Sequence, residues 1–137
     1  MTHLLIVDDS EIDRRALKIL LERNGYRVTA ASSGEEALAA ARRDRPDAVI
    51  SDVMMRNMDG FVFCRTWMQD KKLRPIPFIF YTGHLTDQQD EHVGTALGAA
   101  RYLIKPLETN ALLLELGAVL QARTEQSRPQ GQRAGPA

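Results

Sequence analysis

Five short apolar runs, each followed by a longer amphipathic stretch, divide residues 3–123 and limit what this chain can fold into. The runs are Leu4–Val7, Tyr26–Ala30, Ala48–Ile50, Phe78–Tyr81 and Tyr102–Ile104. They are too short for helices and carry little alternation, as expected of strands covered on both faces. Between them, apolar residues recur at helical spacing. Ile12, Ala16, Ile19, Leu20 and Arg23 mark a first helix that Asn24-Gly25 stops. Ser33 with Glu36 reads as a capping box opening a second helix through about Arg43, before Pro46. Phe61, Cys64 and Met68 suggest the inner stripe of a third, with Pro75 and Pro77 at its exit. Thr86 with Gln89 resembles another capping box, and Val93, Ala96 and Leu97 are the expected inner face of the fourth, which Gly98 ends. Leu112, Leu116, Val119 and Leu120 mark the fifth.

Strict βα alternation with right-handed crossovers predicts an α/β fold, a doubly wound parallel sheet of five strands with five helices. A single folded domain is expected over residues 1–124. Residues 125–137, EQSRPQGQRAGPA, have no apolar period and read as a disordered tail or a truncated linker. Eighteen basic residues balance eighteen acidic ones, so no overall basic field favours nucleic acid. The single cysteine, Cys64, excludes an internal disulfide and reads as a buried apolar residue. No run approaches membrane-spanning length or resembles a signal sequence, so a cytoplasmic setting without membrane insertion is the expectation.

In open α/β sheets, ligands gather beyond the carboxyl ends of the strands. Here those ends carry Asp8-Asp9, Asp52, Tyr81-Thr82-Gly83 and Lys105-Pro106. Three carboxylates, one hydroxyl and one ammonium are thus expected on one rim. Carboxylates so close repel one another, and a hard divalent cation with oxygen ligands relieves the conflict. Such an ion masks the charge of Asp52 and neutralises charge developing on a transferred phosphoryl group. Asp52 is then a nucleophile that forms an acyl phosphate, with Lys105 and Thr82 contacting the phosphoryl oxygens. Capping alone explains neither two acids at 8 and 9 nor a third at 52.

The stretches LLIVDDS, VISDVMMRNMDGF, FIFYTG and GAARYLIKP, in that order and at those strand ends, resemble the receiver domain of bacterial two-component response regulators, over residues 3–123. The resemblance implies strand order 2-1-3-4-5. It implies that Asp52 is the phosphoacceptor, and that Asp9 ligates Mg²⁺ (or Mn²⁺) directly, Asp8 chiefly through water, and Met54 by its backbone carbonyl. It places Thr82 and Lys105 at the signalling hydroxyl and lysine, Tyr102 at the switch aromatic, and Met54, Gly83 and His84 where the phosphate's water access is tuned. It implies a cis Lys105-Pro106 bond. The implied partners are a sensor histidine kinase or histidine phosphotransfer protein, and an output partner reading the fourth helix, fifth strand and fifth helix. The domain would be a signalling switch rather than an enzyme.

The chain departs from the family's pattern at Arg56, where proline is usual, at Gly83, and at Ala100-Arg101, where acids are common. Arg56 is expected to reach solvent or a partner, and His84 to be an exposed loop residue or to position water. Two enzyme-like or cofactor readings compete. A haloacid-dehalogenase-like phosphohydrolase needs an acid two residues after its nucleophile, and Ser10 and Met54 stand there instead. A flavodoxin-like cofactor binder needs a phosphate loop after the first strand, and none is present. A receiver-like interaction module without phosphorylation would not need the intact acid set.

Overall fold

The computed structural model describes residues 1–84 and 87–127, with side chains as far as Arg123. Strands β1 (His3–Val7), β2 (Arg27–Ala31), β3 (Ala48–Ser51), β4 (Phe78–Thr82) and β5 (Arg101–Ile104) alternate with helices α1 (Glu11–Arg23), α2 (Gly34–Arg43), α3 (Gly60–Gln69), α4 (Gln88–Ala96) and α5 (Thr109–Ser127). The strands form one sheet in the order β2-β1-β3-β4-β5, and every pairing is parallel. This is the fold class expected from the sequence and the strand order that the resemblance implied. No described helix is long and apolar enough to cross a membrane.

Side chains of a strand point alternately to its two faces, and this splits the core in two. Leu5, Val7, Val49, Phe78 and Phe80 pack with Ala37, Phe63 and Trp67 of α2 and α3. Leu4, Ile6, Ile50 and Ile79 pack with Leu21 of α1 and Leu116 and Val119 of α5. Each such burial contributes about 2 kcal/mol. The Trp67 indole N–H donates to the Ile76 carbonyl, so this fully buried ring leaves no polar group unmet.

The helix starts follow side-chain capping. Ser10, Ser33, Asp59 and Asp87 each accept a backbone N–H three residues on. Only half of the capping box at Ser33 forms, because the Glu36 carboxylate turns to the Ser32 N–H and hydroxyl instead. Thr86, the other expected cap, lies outside the described residues, and α4 is capped by Asp87. Gly25 and Gly98 end their helices with φ of 92° and 113°.

Three helix faces differ from the sequence expectation. In α1 the buried side is Leu17, Leu20 and Leu21, while Ile12 and Ile19 are 81% and 51% exposed. Helical spacing marks a face without saying which way it turns. In α3 the core residues are Phe63, Cys64 and Trp67, with Phe61 and Met68 at the margin. Burial pushes the Cys64 thiol up to about 12, consistent with an inert core cysteine. In α4, Val93 and Ala96 face outward and Gly94 faces the sheet. A methyl group on Gly94 would stand 2.7 Å from Cδ2 of Tyr102 and 3.1 Å from Phe80. We predict that Gly94→Ala costs about 1–2 kcal/mol and drives the Tyr102 ring outward. Thermal unfolding and the tyrosine ring's NMR shifts check both effects. At the other end, α5 runs to Ser127, past the boundary expected at residue 124, and residues 128–137 of the expected tail lie outside the described residues.

Candidate phosphoacceptor site

Sheet register assembles the site. Val7 pairs with Ser51, so Asp8 and Asp52, the next residues, leave β1 and β3 at the same level. The Asp52 N–H donates to the Val7 carbonyl at 3.0 Å, and the Asp8 N–H to the Ala31 carbonyl at 3.1 Å. Thr82 pairs with Ile104, and the Lys105 N–H donates to the Thr82 carbonyl at 2.8 Å. Lys105 thus leaves β5 beside Thr82, and its peptide bond to Pro106 is cis, as the resemblance implied. On the far side, α3 begins against the chain at Asp52. The Gly60 N–H bonds to the Val53 carbonyl at 2.6 Å, and a side chain on Gly60 would run into the Asp52 carbonyl. Only glycine allows that approach.

The side chains converge. Lys105 Nζ lies 2.9 Å from Asp8 Oδ2 and 3.4 Å from Asp52 Oδ2. It also lies 3.4 Å from Asp13 Oδ2, in the first turn of α1. Its ammonium sits 5.5 Å from the centroid of the Tyr81 ring, whose hydroxyl accepts the Leu107 N–H. Asp8 and Asp52 are both buried, which makes their charges costly unless paired. Ser10 N–H donates to Asp8 Oδ1 and Val53 N–H to Asp52 Oδ1. Burial pushes the Asp8 carboxyl above its usual range despite the Lys105 ammonium and the Ser10 N–H, and the nearby Asp52 charge adds to the rise. Burial works against the Lys105 ammonium too, but the carboxylates of Asp8, Asp52 and Asp13 outweigh it and hold the lysine above its usual value. Lys105 therefore stays charged.

Asp9 turns the other way. Its Oδ2 accepts the Arg56 backbone N–H at 3.1 Å and faces the Arg56 guanidinium at 3.3 Å. Arg56 is exposed, as the sequence suggested, yet it reaches back to an acid of the rim. The Thr82 hydroxyl is fully buried. It donates to the His84 carbonyl at 2.7 Å and accepts the His84 N–H at 3.0 Å. His84 is exposed and Met54 is half exposed. Gly83 lies along the Lys105 stem, where an added methyl group would make ordinary contact at 3.6 Å. Tyr102 is buried against Phe80, with ring centroids 5.5 Å apart. Its hydroxyl is pushed up to about 12, chiefly by burial and then by Asp90, Asp52, Asp87 and Glu91.

Among the described residues, no three His, Cys, Asp or Glu side chains form a ready-made cation cage. The donor chemistry nonetheless fits a small hard cation. Carboxylate oxygens are the available ligands, and Mg²⁺ requires only one or two of them beside water. The cationic groups of Lys105 and Arg56 sit on these same acids, as expected where negative charge has been concentrated. Asp13 and Arg56 are the two participants that sequence reasoning did not place here. Asp13 carried a signal, since a residue in the first turn of a helix that starts at the rim faces that rim. Arg56 carried none beyond its position in the loop after Asp52.

Comparisons with known proteins agree with this geometry. The response regulator receiver domain pattern matches residues 4–116. The chain is 37% identical to Protein PilH of Pseudomonas aeruginosa, over 88% of this chain and 98% of that one. It is 36% identical to the transcriptional regulatory protein AfsQ1 of Streptomyces coelicolor, covering 93% of this chain but 55% of that protein. The chemotaxis protein CheY4 of Vibrio cholerae superposes with a TM-score of 0.82 at 36% identity, over 87% of this chain and 98% of that one. The receiver domain of a signal transduction histidine kinase from Syntrophus aciditrophicus gives 0.82 at 32% identity, over 98% and 100%.

Proposed function

We propose, on the premise that the chain belongs to the response regulator receiver domain family, that Asp52 is its phosphoacceptor and that Asp8, Asp9, Thr82 and Lys105 serve the transfer. The observation that carries this reading is the ammonium of Lys105 shared between the buried carboxylates of Asp8 and Asp52. Receiver domains are signalling domains that interact with histidine kinases or phosphotransfer proteins and generally use Mg²⁺. Here Asp9, Asp52 and the Met54 carbonyl would hold the ion directly and Asp8 chiefly through water. Its charge would shield the incoming phosphoryl oxygens.

In the proposed step, a carboxylate oxygen of Asp52 attacks phosphorus of a phosphohistidine. The N–P bond breaks, its electron pair stays on the imidazole nitrogen, and an O–P mixed anhydride remains on Asp52. Lys105 is already within reach and pairs with a phosphoryl oxygen as a point charge. Thr82 leaves the His84 backbone and donates its hydroxyl to another. That movement opens space toward Tyr102, and the equilibrium of the α4–β5–α5 face shifts. Exposed Val93, Ile104 and Leu114 on that face give an output partner apolar contacts. Exposed Ile12 and Ile19 on α1, the helix that starts at the rim, suit the helices of a protein donor. The chain spans about half of AfsQ1, so the activity that any larger protein couples to this switch is part of the proposal.

The test is direct. With Mg²⁺ and acetyl phosphate, intact-mass measurement should show one added phosphate, hydroxylamine-sensitive and mapped to the peptide containing Asp52. Chelation of the metal should prevent it. A phosphate on another residue, or uptake indifferent to chelator, would remove the assignment.

A further inference from the structure

Arg56 places two donors, its backbone N–H and its guanidinium, on the same oxygen of Asp9. Resting on the reading of Asp9 as a metal ligand, we infer that the Arg56 guanidinium is a built-in competitor for the divalent ion and sets the metal affinity of the site. The two donors act differently. The N–H is part of the chain and holds the loop after Asp52 to the end of β1, along with Met54, whose carbonyl lies in that loop. The guanidinium is a mobile positive charge on a side chain that is 82% exposed.

Two consequences follow from the charge. A cation entering at Asp9 takes over electron density that the guanidinium now shares. Both are positive, so they repel at a separation of a few ångströms, and metal binding displaces the side chain. An ion pair this exposed is weak and salt-screened, so it yields to the ion rather than excluding it. The expected effect is a three- to tenfold weakening of Mg²⁺ binding at low salt. Lys105 cannot supply this effect at Asp9, because its partners are Asp8, Asp52 and Asp13. Once displaced, the guanidinium stands free at the mouth of the site, with a fork suited to phosphoryl oxygens.

Isothermal titration calorimetry with Mg²⁺ alone, on the full chain, tests the inference without any phosphoryl transfer. Arg56→Gln keeps the backbone N–H and removes the charge, and it should bind Mg²⁺ three- to tenfold more tightly. Arg56→Lys keeps the charge and should stay within about twofold of the parent. The gap between parent and Arg56→Gln should close in 0.5 M salt, roughly, as charges at the surface are screened. Equal or weaker binding by Arg56→Gln, while Asp9→Asn abolishes binding, would overturn the role of Arg56 and leave the metal site standing. Unchanged binding by Asp9→Asn, or none by the parent, would strike the reading of the site itself and take this inference with it.

Discussion

Asp52→Asn is expected to take up no phosphate from acetyl phosphate or a phosphohistidine donor while keeping its fold. The loss should exceed about a thousandfold, because the variant lacks the one group that forms the covalent bond. An amide nitrogen has no nucleophilic lone pair to offer, and an amide oxygen is a poor substitute for a carboxylate. Structure should survive because asparagine is isosteric. Its carbonyl oxygen can still accept the Val53 N–H that now meets Oδ1, and its position just after β3 keeps the backbone bond to the Val7 carbonyl. Lys105 keeps its 2.9 Å partner, Asp8. One buried negative charge also disappears from a site that holds two, so the melting temperature should hold or rise. Circular dichroism reports the fold and intact-mass measurement reports the phosphate. Wild-type uptake by a folded Asp52→Asn protein would refute the assignment.

How much of this was legible in the chain follows from what each feature depends on. Strand positions were, since Leu4–Val7 and Phe78–Tyr81 need only be apolar, short and bounded. The rim was legible for the same reason: a polar residue placed just after a buried strand emerges where parallel strands end, whatever the helices do. Hence Asp8, Asp52, Thr82 and Lys105 fell together. Helix orientation was not legible at α1 or α4. Ile12 and Leu20 share a sequence spacing compatible with burial, but only packing against β1 and α5 selects the side carrying Leu17, Leu20 and Leu21. At α4 the inward residue is Gly94, which no apolar pattern marks, because the Tyr102 ring fills the space a larger side chain would take. Side-chain direction was the least legible. Thr82 sits at the rim but turns its hydroxyl to His84, and Asp9 turns to Arg56, both local choices made by a loop's geometry.

Lys105→Met should destabilise the protein by about 2–3 kcal/mol near neutral pH in chelator, and Mg²⁺ should restore most of the loss. Methionine keeps the length and the apolar stem, so the change removes the charge rather than the packing. Asp8 and Asp52 are then left buried and unpaired, which is the costly way to break an ion pair. The pH dependence has a definite sign. Burial raises the Asp8 carboxyl above its usual range in the folded state, and losing Lys105 removes the main opposing influence, so the carboxyl rises further. A group raised in this way gains stability as pH falls through its folded value. The deficit of Lys105→Met should therefore shrink toward acid pH as Asp8 takes up a proton. In the parent, the ammonium's own contribution is fully present below its unfolded value and lost only as pH climbs beyond the usual value of 10.5. Thermal unfolding across pH, with and without Mg²⁺, measures each part. A deficit that is independent of pH and metal would mean that Lys105 matters for packing alone, and the shared ammonium would no longer account for how two buried carboxyl groups sit side by side at the centre of this site.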